Sequence, residues 1–305
     1  MTKPNFFIVG APKCGTTALS EYLRSHPNIF MSIPKEPHFF TEDFPRIRYA
    51  GGDLDAYLSL FDDCYKYSAY GEASVYYLYS SVAIKKIIEF NPEAKIIAML
   101  RNPVDLAYSL HSQFLHSRSE SIKNFEKAWH SQAARKELKN ISRLCLEPKL
   151  LQYAQIARLG EQIDRLLSIV PVVQTKIIFF EDFFRSTRDI YEEVLAFLGI
   201  QSDGRHEFPK INVNRSHKIG IIGTLTERTP KSVEKITAVI KKRTKIRKFG
   251  LLDKIKVLNT VTKPRLALSP ELRREMIEEF REDIMLLSHL TNKDLSDWLT
   301  CDINK

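Results

Sequence analysis

Apolar residues along this chain fall into short continuous runs separated by stretches of helical period. Phe6-Phe7-Ile8-Val9-Gly10 is one such run, ending on a glycine, which predicts a strand buried on both faces of a parallel sheet. A polar turn follows, and Thr16–Leu23 then places Leu19 and Leu23 four apart on one helical face. Lys95–Leu100 and Lys176–Phe180 are two further buried-strand candidates. Arg101-Asn102-Pro103 comes after the first of these, with Asp105 near the start of a helix that keeps Leu106 and Leu110 together. Glu181-Asp182 follows the second, and then a helix around Ile190–Leu198. A weaker strand is predicted at Ala69–Glu72 and a helix over Leu150–Leu167. Near the C-terminus Ser269-Pro270-Glu271 combines a capping serine with a first-position proline. Met276, Ile277, Phe280, Ile284 and Leu287 then recur at helical spacing. Strands alternating with helices predict a three-layer α/β fold, a central parallel sheet flanked by helices.

Composition narrows the class. With 305 residues, 44% hydrophobic and 27% charged, the chain is an ordinary globular sequence, long enough for a large core. Without an internal repeat or a low-complexity linker, it is expected to form a single domain over 1–305, with a basic, inserted or mobile region at about 219–264. From Lys218 to Arg265 there are 14 Lys and Arg against 3 acidic residues, a net of +11, so the remainder of the +9 chain sums to −2. Such a segment attracts nucleic acid, an anionic membrane or a polyanionic substrate, or is simply a solvated helical face. Aromatics are sparse within it and no nucleic-acid motif accompanies it, so no nucleic-acid partner is expected. The apolar runs fall short of a membrane span, and the first residues do not read as a signal peptide. The four scattered cysteines read as reduced thiols. A cytoplasmic setting is therefore expected, and the histidine and cysteine spacings give no reason to expect a metal.

The most informative octet is Gly10-Ala11-Pro12-Lys13-Cys14-Gly15-Thr16-Thr17. A glycine-bearing loop between strand and helix aims backbone N–H groups and the positive end of the helix dipole at one point, which suits an anion. Lys13 adds a charge, and Thr16 and Thr17 add hydroxyl donors. The loop is P-loop-like, but its lysine precedes the second glycine instead of following it. The plainer reading is a glycine turn with an exposed lysine.

With its neighbours, this loop resembles the one that binds the 5′-phosphosulfate of PAPS (3′-phosphoadenosine-5′-phosphosulfate) in the PAPS-dependent sulfotransferases, in particular bacterial members related to the heparan sulfate branch. His26-Pro27, Lys35-Glu36-Pro37-His38-Phe39-Phe40, Arg101-Asn102-Pro103-Val104-Asp105-Leu106-Ala107-Tyr108-Ser109 and Lys293-Asp294-Leu295-Ser296-Asp297-Trp298 resemble further ordered motifs of that branch. The resemblance implies a bacterial enzyme that moves a sulfuryl group from PAPS, leaving PAP, to a hydroxyl or an amine of a glycan, lipid or small natural product. It implies that Lys13 stabilises the leaving phosphate, and that Lys13, Cys14, Gly15, Thr16, Thr17 and Ala18 hold the phosphosulfate. Arg101 and Ser109 would hold the 3′-phosphate, and arginine's planar fork suits that task. Asn214, Arg215 and Lys218 fall where the family closes a loop over the cofactor. The family's base position falls on Glu36, which would need partial burial, with Pro37, Phe39 and Phe40 as an apolar wall, to raise its pKa. His38 is the alternative base, or a structural histidine. Tyr153 is a candidate for the acceptor pocket or for the core.

The chain also departs from the pattern. Where related glycan sulfotransferases follow a glutamate with a lysine, Glu72-Ala73-Ser74-Val75 has alanine, so a second cation near the sulfate is missing or comes from elsewhere. The rival readings are a P-loop small-molecule kinase or NTPase, with Glu181-Asp182 as its strand-terminal acid, and a non-catalytic PAPS-binding relative.

Overall fold

The computed structural model describes residues 2–209, 211, 216–217, 260–261 and 267–301, the last two short pairs by backbone alone. The chain forms two compact units, one of residues 1–110, 146–212 and 268–305, the other of residues 111–145 and 213–267.

The first unit holds a five-stranded sheet, β1 (Phe6–Gly10), β2 (Ile29–Met31), β3 (Ala69–Glu72), β4 (Lys95–Leu100) and β5 (Thr175–Phe179), in the order β2-β3-β1-β4-β5. Every pairing is parallel. Helices flank it, as the alternating pattern predicts. Phe6, Phe7, Ile8 and Val9 have no exposed surface, which is why β1 reads as an unbroken apolar run and not as an alternation. From β1 the chain passes through α1 (Thr16–Arg24) to the edge strand β2, returns to β3, and then crosses to β4 on the other side of β1. Sheets of this kind bind ligands outside the carboxyl ends of the strands where that reversal occurs. The segments that leave those ends here are the Gly10–Thr17 loop, the stretch after Glu72, and Arg101.

Two elements differ from the sequence reading. The helix expected over Leu150–Leu167 is a 3₁₀ turn at Pro148–Leu151, then α7 (Tyr153–Ala157) and α8 (Leu159–Ile169). Leu150, Leu151, Ile156, Ile163 and Leu166 are all buried, so the apolar period runs unbroken across the interruptions and hides them. The break before α8 is fixed from a distant part of the chain. Asp283 accepts hydrogen bonds from the N–H groups of Gly160 and Glu161, both at 2.9 Å, and a side chain at Gly160 would meet the Asp283 carbonyl oxygen at 2.3 Å. Phe180, expected to end β5, instead opens α9 (Phe180–Arg185).

Asp283 belongs to α11 (Pro270–Thr291), which follows α10 (Thr187–Leu198) among the first unit's described helices. The Ser269 hydroxyl caps α11 by accepting from the Leu272 N–H at 3.2 Å, and Met276, Ile277, Phe280, Ile284 and Leu287 are buried, as their spacing predicts. The closing Lys293–Trp298 motif returns to the end of β5: Lys293 Nζ lies 2.8 Å from Asp182 Oδ2, and the Trp298 ring meets Phe179 edge to face at 5.9 Å. Among the described residues no helix is long and apolar enough to cross a membrane.

In the second unit, two short helices, Phe125–His130 and Gln132–Lys136, accompany a two-stranded antiparallel pairing of Ser216–His217 with Thr260–Val261. Its polar anchor is Glu120, whose carboxylate meets Arg135 Nη2 at 2.6 Å and accepts the N–H groups of Ser121 and Ile122, with neither charged side chain exposed. Of the basic region at about 219–264, all but the backbone of residues 260–261 lies outside the described residues.

Candidate active site

The loop after β1 is shaped by its two glycines. Gly10 has φ +139°, and a Cβ there would lie 2.5 Å from the Val75 carbonyl oxygen. Gly15 has φ +89° and stands at the N-cap of α1, where no side chain caps the helix. Uncapped first-turn N–H groups and the helix dipole therefore face the loop mouth. Ala18 is the exception among the predicted donors, since its N–H already donates to the Gly15 carbonyl at 2.9 Å. The Cys14 thiol is buried and contacts the Pro12 carbonyl at 3.4 Å; burial pushes its pKa up, so it is a packed group and not a nucleophile.

Lys13, half-buried, adopts a left-handed backbone with φ +66°, a conformation that non-glycine residues hold only when their surroundings impose it. Part of that constraint is Arg101, which leaves the end of β4 and donates from Nη1 to the Lys13 carbonyl at 3.4 Å. Its guanidinium lies 4.3 Å from the centre of the Phe180 ring, while its buried Nε has no protein partner. A cation held by an aromatic face, with donor capacity left over, is equipped for an anion. Ser109 is buried on α4 (Pro103–His116). Tyr153 has no exposed surface, in keeping with the core alternative. Asn214, Arg215 and Lys218 lie outside the described residues.

The Lys35–His38 segment meets this loop from the end of β2. Lys35 Nζ is 2.7 Å from Glu36 Oε1 and 3.5 Å from Thr16 Oγ1, so one ammonium joins the carboxylate to the first helical residue of α1. His38 Nε2 is 3.3 Å from Glu36 Oε2. The expectation that burial raises the Glu36 pKa is corrected here. Burial does work against ionisation, but Lys35 and then His38 outweigh it and bring the carboxyl down to about 2. Phe39 and Phe40 pack instead into an aromatic cluster: Phe39 stacks on Tyr57 at 4.2 Å, and Phe40 meets Phe7 edge to face at 5.9 Å.

Lys35 is the residue that sequence reasoning passed over, naming it only as the first residue of the Lys35–Phe40 motif. Its side chain is only 16% exposed. The signal in the sequence was the cation missing at Ala73, and the Ala73 N–H donates to the Lys35 carbonyl at 3.0 Å, which sets the two backbones side by side.

Glu72 and Ser74 were quoted only as part of a departing motif. Glu72 ends β3 with no exposed surface and accepts hydrogen bonds from the hydroxyls of Tyr57 at 2.9 Å and Tyr77 at 2.7 Å, and from Ser74. Of the Glu181-Asp182 pair named for a kinase reading, Asp182 pairs with Lys293.

Comparison with known proteins identifies the family. A family model described as a sulfotransferase domain matches residues 3–285. The chain is 32% identical over 204 residues to the human bifunctional heparan sulfate N-deacetylase/N-sulfotransferase 3, covering 65% of this chain and 22% of that protein. It is 34% identical over 122 residues to the human heparan sulfate glucosamine 3-O-sulfotransferase 6, covering 40% of this chain and 33% of that one. The match thus spans only about a fifth to a third of these relatives. The crystal structure of a sulfotransferase from Alicyclobacillus acidocaldarius superposes with a TM-score of 0.72 at 28% identity, covering 98% of this chain and all of the other.

Proposed function

The chain belongs to the sulfotransferase domain family, and from that premise we propose that it transfers the sulfuryl group of PAPS to a hydroxyl or amine of an acceptor by in-line displacement. The observation that carries this reading is the meeting of three cations with one uncapped helix start, Lys13 within the loop, Arg101 on the Lys13 carbonyl and Lys35 on Thr16, with the Glu36 carboxylate beside them. The unpartnered Arg101 Nε and the open first turn of α1 are a fit for an anionic nucleotide.

In this mechanism Glu36 takes the acceptor proton as the acceptor oxygen or nitrogen bonds to sulfur. Lys13 and the N–H groups of Cys14 to Thr17 stabilise the charge that grows on the departing phosphate as its bond to sulfur breaks. Such chemistry asks a protein mainly for position and electrostatic stabilisation. Lys35 supplies the second cation, on the sulfuryl side. Arg101 and Ser109 bind the 3′-phosphate. His38 orients Glu36 and is the alternative base. The named relatives support a glycan as the first acceptor class to try, with lipids and small natural products next. The four scattered cysteines fit a reducing compartment such as the bacterial cytoplasm.

The test is calorimetric titration of the wild type, Lys13→Ala and Arg101→Ala with PAP, and with ATP in the presence and absence of Mg²⁺. PAP should bind the wild type without added metal. Each variant should lose at least about tenfold, the size of one charge-assisted hydrogen bond. Binding of Mg-ATP but not PAP would replace this reading with a kinase.

A further inference from the structure

The candidate base is held at second hand by another carboxylate. His38 has a left-handed backbone, φ +49°, and its N–H donates to Ser74 Oγ at 2.8 Å. Ser74 in turn donates its hydroxyl to Glu72. The His38 side chain is only 8% exposed, its ring lies 5.3 Å from the Tyr76 ring, and it reaches Glu36 through Nε2. The path from Glu72 to Glu36 therefore runs through one serine hydroxyl and one strained residue. Resting on the sulfuryl-transfer reading, we propose that Glu72 is the positioning residue for the base: by holding Ser74 it fixes the His38 backbone, and so the direction from which His38 holds Glu36, and this hold depends on its charge.

The donor count gives the reason. As a carboxylate, Glu72 accepts three hydroxyl donors, Tyr57, Tyr77 and Ser74, and the Ser74 oxygen remains an acceptor for the His38 N–H. If the oxygen facing Ser74 takes a proton, two donors meet head-on. Ser74 must then turn its hydroxyl hydrogen into a buried space, and its bond to His38 weakens. The titratable groups acting on Glu72 are Tyr57 from α2 (Leu54–Leu58), Tyr77 from the segment after β3, and Glu36 from the segment after β2, whose own partner there is His38. Burial and the like charge of Glu36 raise the Glu72 pKa, the three hydroxyls oppose that rise, and the balance is about 7. The switch in donor count therefore falls at neutral pH. Glu36, held at about 2, contributes no titration in that range.

The experiment follows the His38 backbone amide by ¹⁵N–¹H NMR from pH 5.5 to 8.5 in the wild type, Glu72→Gln and Tyr77→Phe, with PAP release from PAPS measured over the same range using a desulfated glycosaminoglycan as acceptor probe. In the wild type the amide should titrate near pH 7 and the rate should rise with it, by about three- to tenfold, the worth of one net hydrogen bond. Glu72→Gln, shaped like the protonated acid, should hold both readouts flat at their low-pH values. Tyr77→Phe, lacking one donor to the carboxylate, should move both midpoints upward. An amide that does not titrate in the wild type, or that titrates unchanged in Glu72→Gln, overturns the inference, as does a rate that ignores an amide that does titrate. Failure of the wild type to bind PAP would instead strike the sulfuryl-transfer reading, and the amide titration would still decide whether Glu72 governs His38. Melting curves of each variant separate these outcomes from loss of fold.

Discussion

Lys35→Met removes one charge while keeping an unbranched stem of similar length, and two consequences compete. Lys35 is the strongest of the groups that hold Glu36 down, so its loss lets that carboxyl rise from about 2 towards its ordinary 4.5. The full interval corresponds to about 3 kcal/mol. His38 keeps a share of it, and the Glu36 side chain is 36% exposed, so solvent screening leaves about 1 kcal/mol for Lys35. A slightly more basic Glu36 would, on that account, change the rate at most a few-fold upward. Against this stands the loss of a cation facing an anionic donor. At about 4 Å and an effective dielectric near 20, one charge acting on another is worth roughly 4 kcal/mol. Partial neutralisation of Lys35 by Glu36 reduces that to about 2 kcal/mol, or roughly 30-fold in rate. The second effect is larger, so PAP release from PAPS should fall about 30-fold. Affinity for PAP, which lacks the sulfuryl group, should stay within about threefold. Initial rates with the glycosaminoglycan probe, beside calorimetry with PAP, measure both. A rate unchanged or raised would reduce Lys35 to a partner of Glu36. A loss of PAP affinity equal to the loss of rate would put the cation on the phosphate and not on the sulfuryl group.

Glu36→Gln should lower the rate of PAP release by about 10²–10⁴-fold, the range for removing a general base, with PAP affinity unchanged in calorimetry. Gly15→Ala forces a side chain onto φ +89°, with its Cβ 3.3 Å from Phe184 Cε2 and 3.4 Å from Met99 Cε; a loss of about 1–2 kcal/mol in denaturant unfolding and weaker PAP binding should follow together. Glu120→Ala removes the carboxylate from a buried guanidinium and should cost about 3–5 kcal/mol in the same assay, far more than Glu278→Ala, which breaks an exposed pair on α11. Thermal unfolding across pH should show both perturbed carboxyls. The Glu36 contribution is present above pH 4.5 and lost as pH falls towards 2, whereas the Glu72 contribution is complete below pH 4.5 and lost as pH rises through about 7. Glu72→Gln should therefore flatten the decline in melting temperature between pH 4.5 and 7 and leave the acid limb in place.

The strands β1 and β4 were legible because burial on both faces writes itself as an unbroken apolar run, and the loop after β1 because its glycines and lysine stand next to one another in the chain. What escaped was set by partners far away in sequence. β2, only three residues long, has too short a run to register. The break before α8 is made by Asp283, more than a hundred residues downstream, and leaves the apolar period of 150–167 intact. The misjudged direction of the Glu36 pKa has the same origin in miniature. Its aromatic neighbours in sequence, Phe39 and Phe40, turn towards Tyr57 and Phe7, while the adjacent Lys35 folds onto the carboxylate. Adjacency in the chain showed which residues were near, but not which side chains would face one another.

Two carboxylates with opposite fates give the site its logic. Glu36 and Glu72 end up one network apart, near enough for the charge of one to raise the pKa of the other. Glu36 is flanked by the Lys35 ammonium and the His38 ring and stays ionised; Glu72 is surrounded by neutral hydroxyls and titrates near neutrality. Environments that push paired groups apart are how one site assigns distinct roles to like residues. A carboxylate held at about 2 is a weak base in the resting protein, so as the proposed base Glu36 would need Lys35 drawn away before it could take a proton. An anionic sulfuryl group bound against Thr16 would compete with Glu36 for Lys35 and would supply that pull. Binding of the donor and activation of the base would then be one event. On this argument the donor PAPS should raise the pKa of Glu36, whereas PAP, which leaves Lys35 on Glu36, should not. Carboxyl ¹³C titration of Glu36 with each nucleotide reads the difference, and equal shifts with both would refute the coupling.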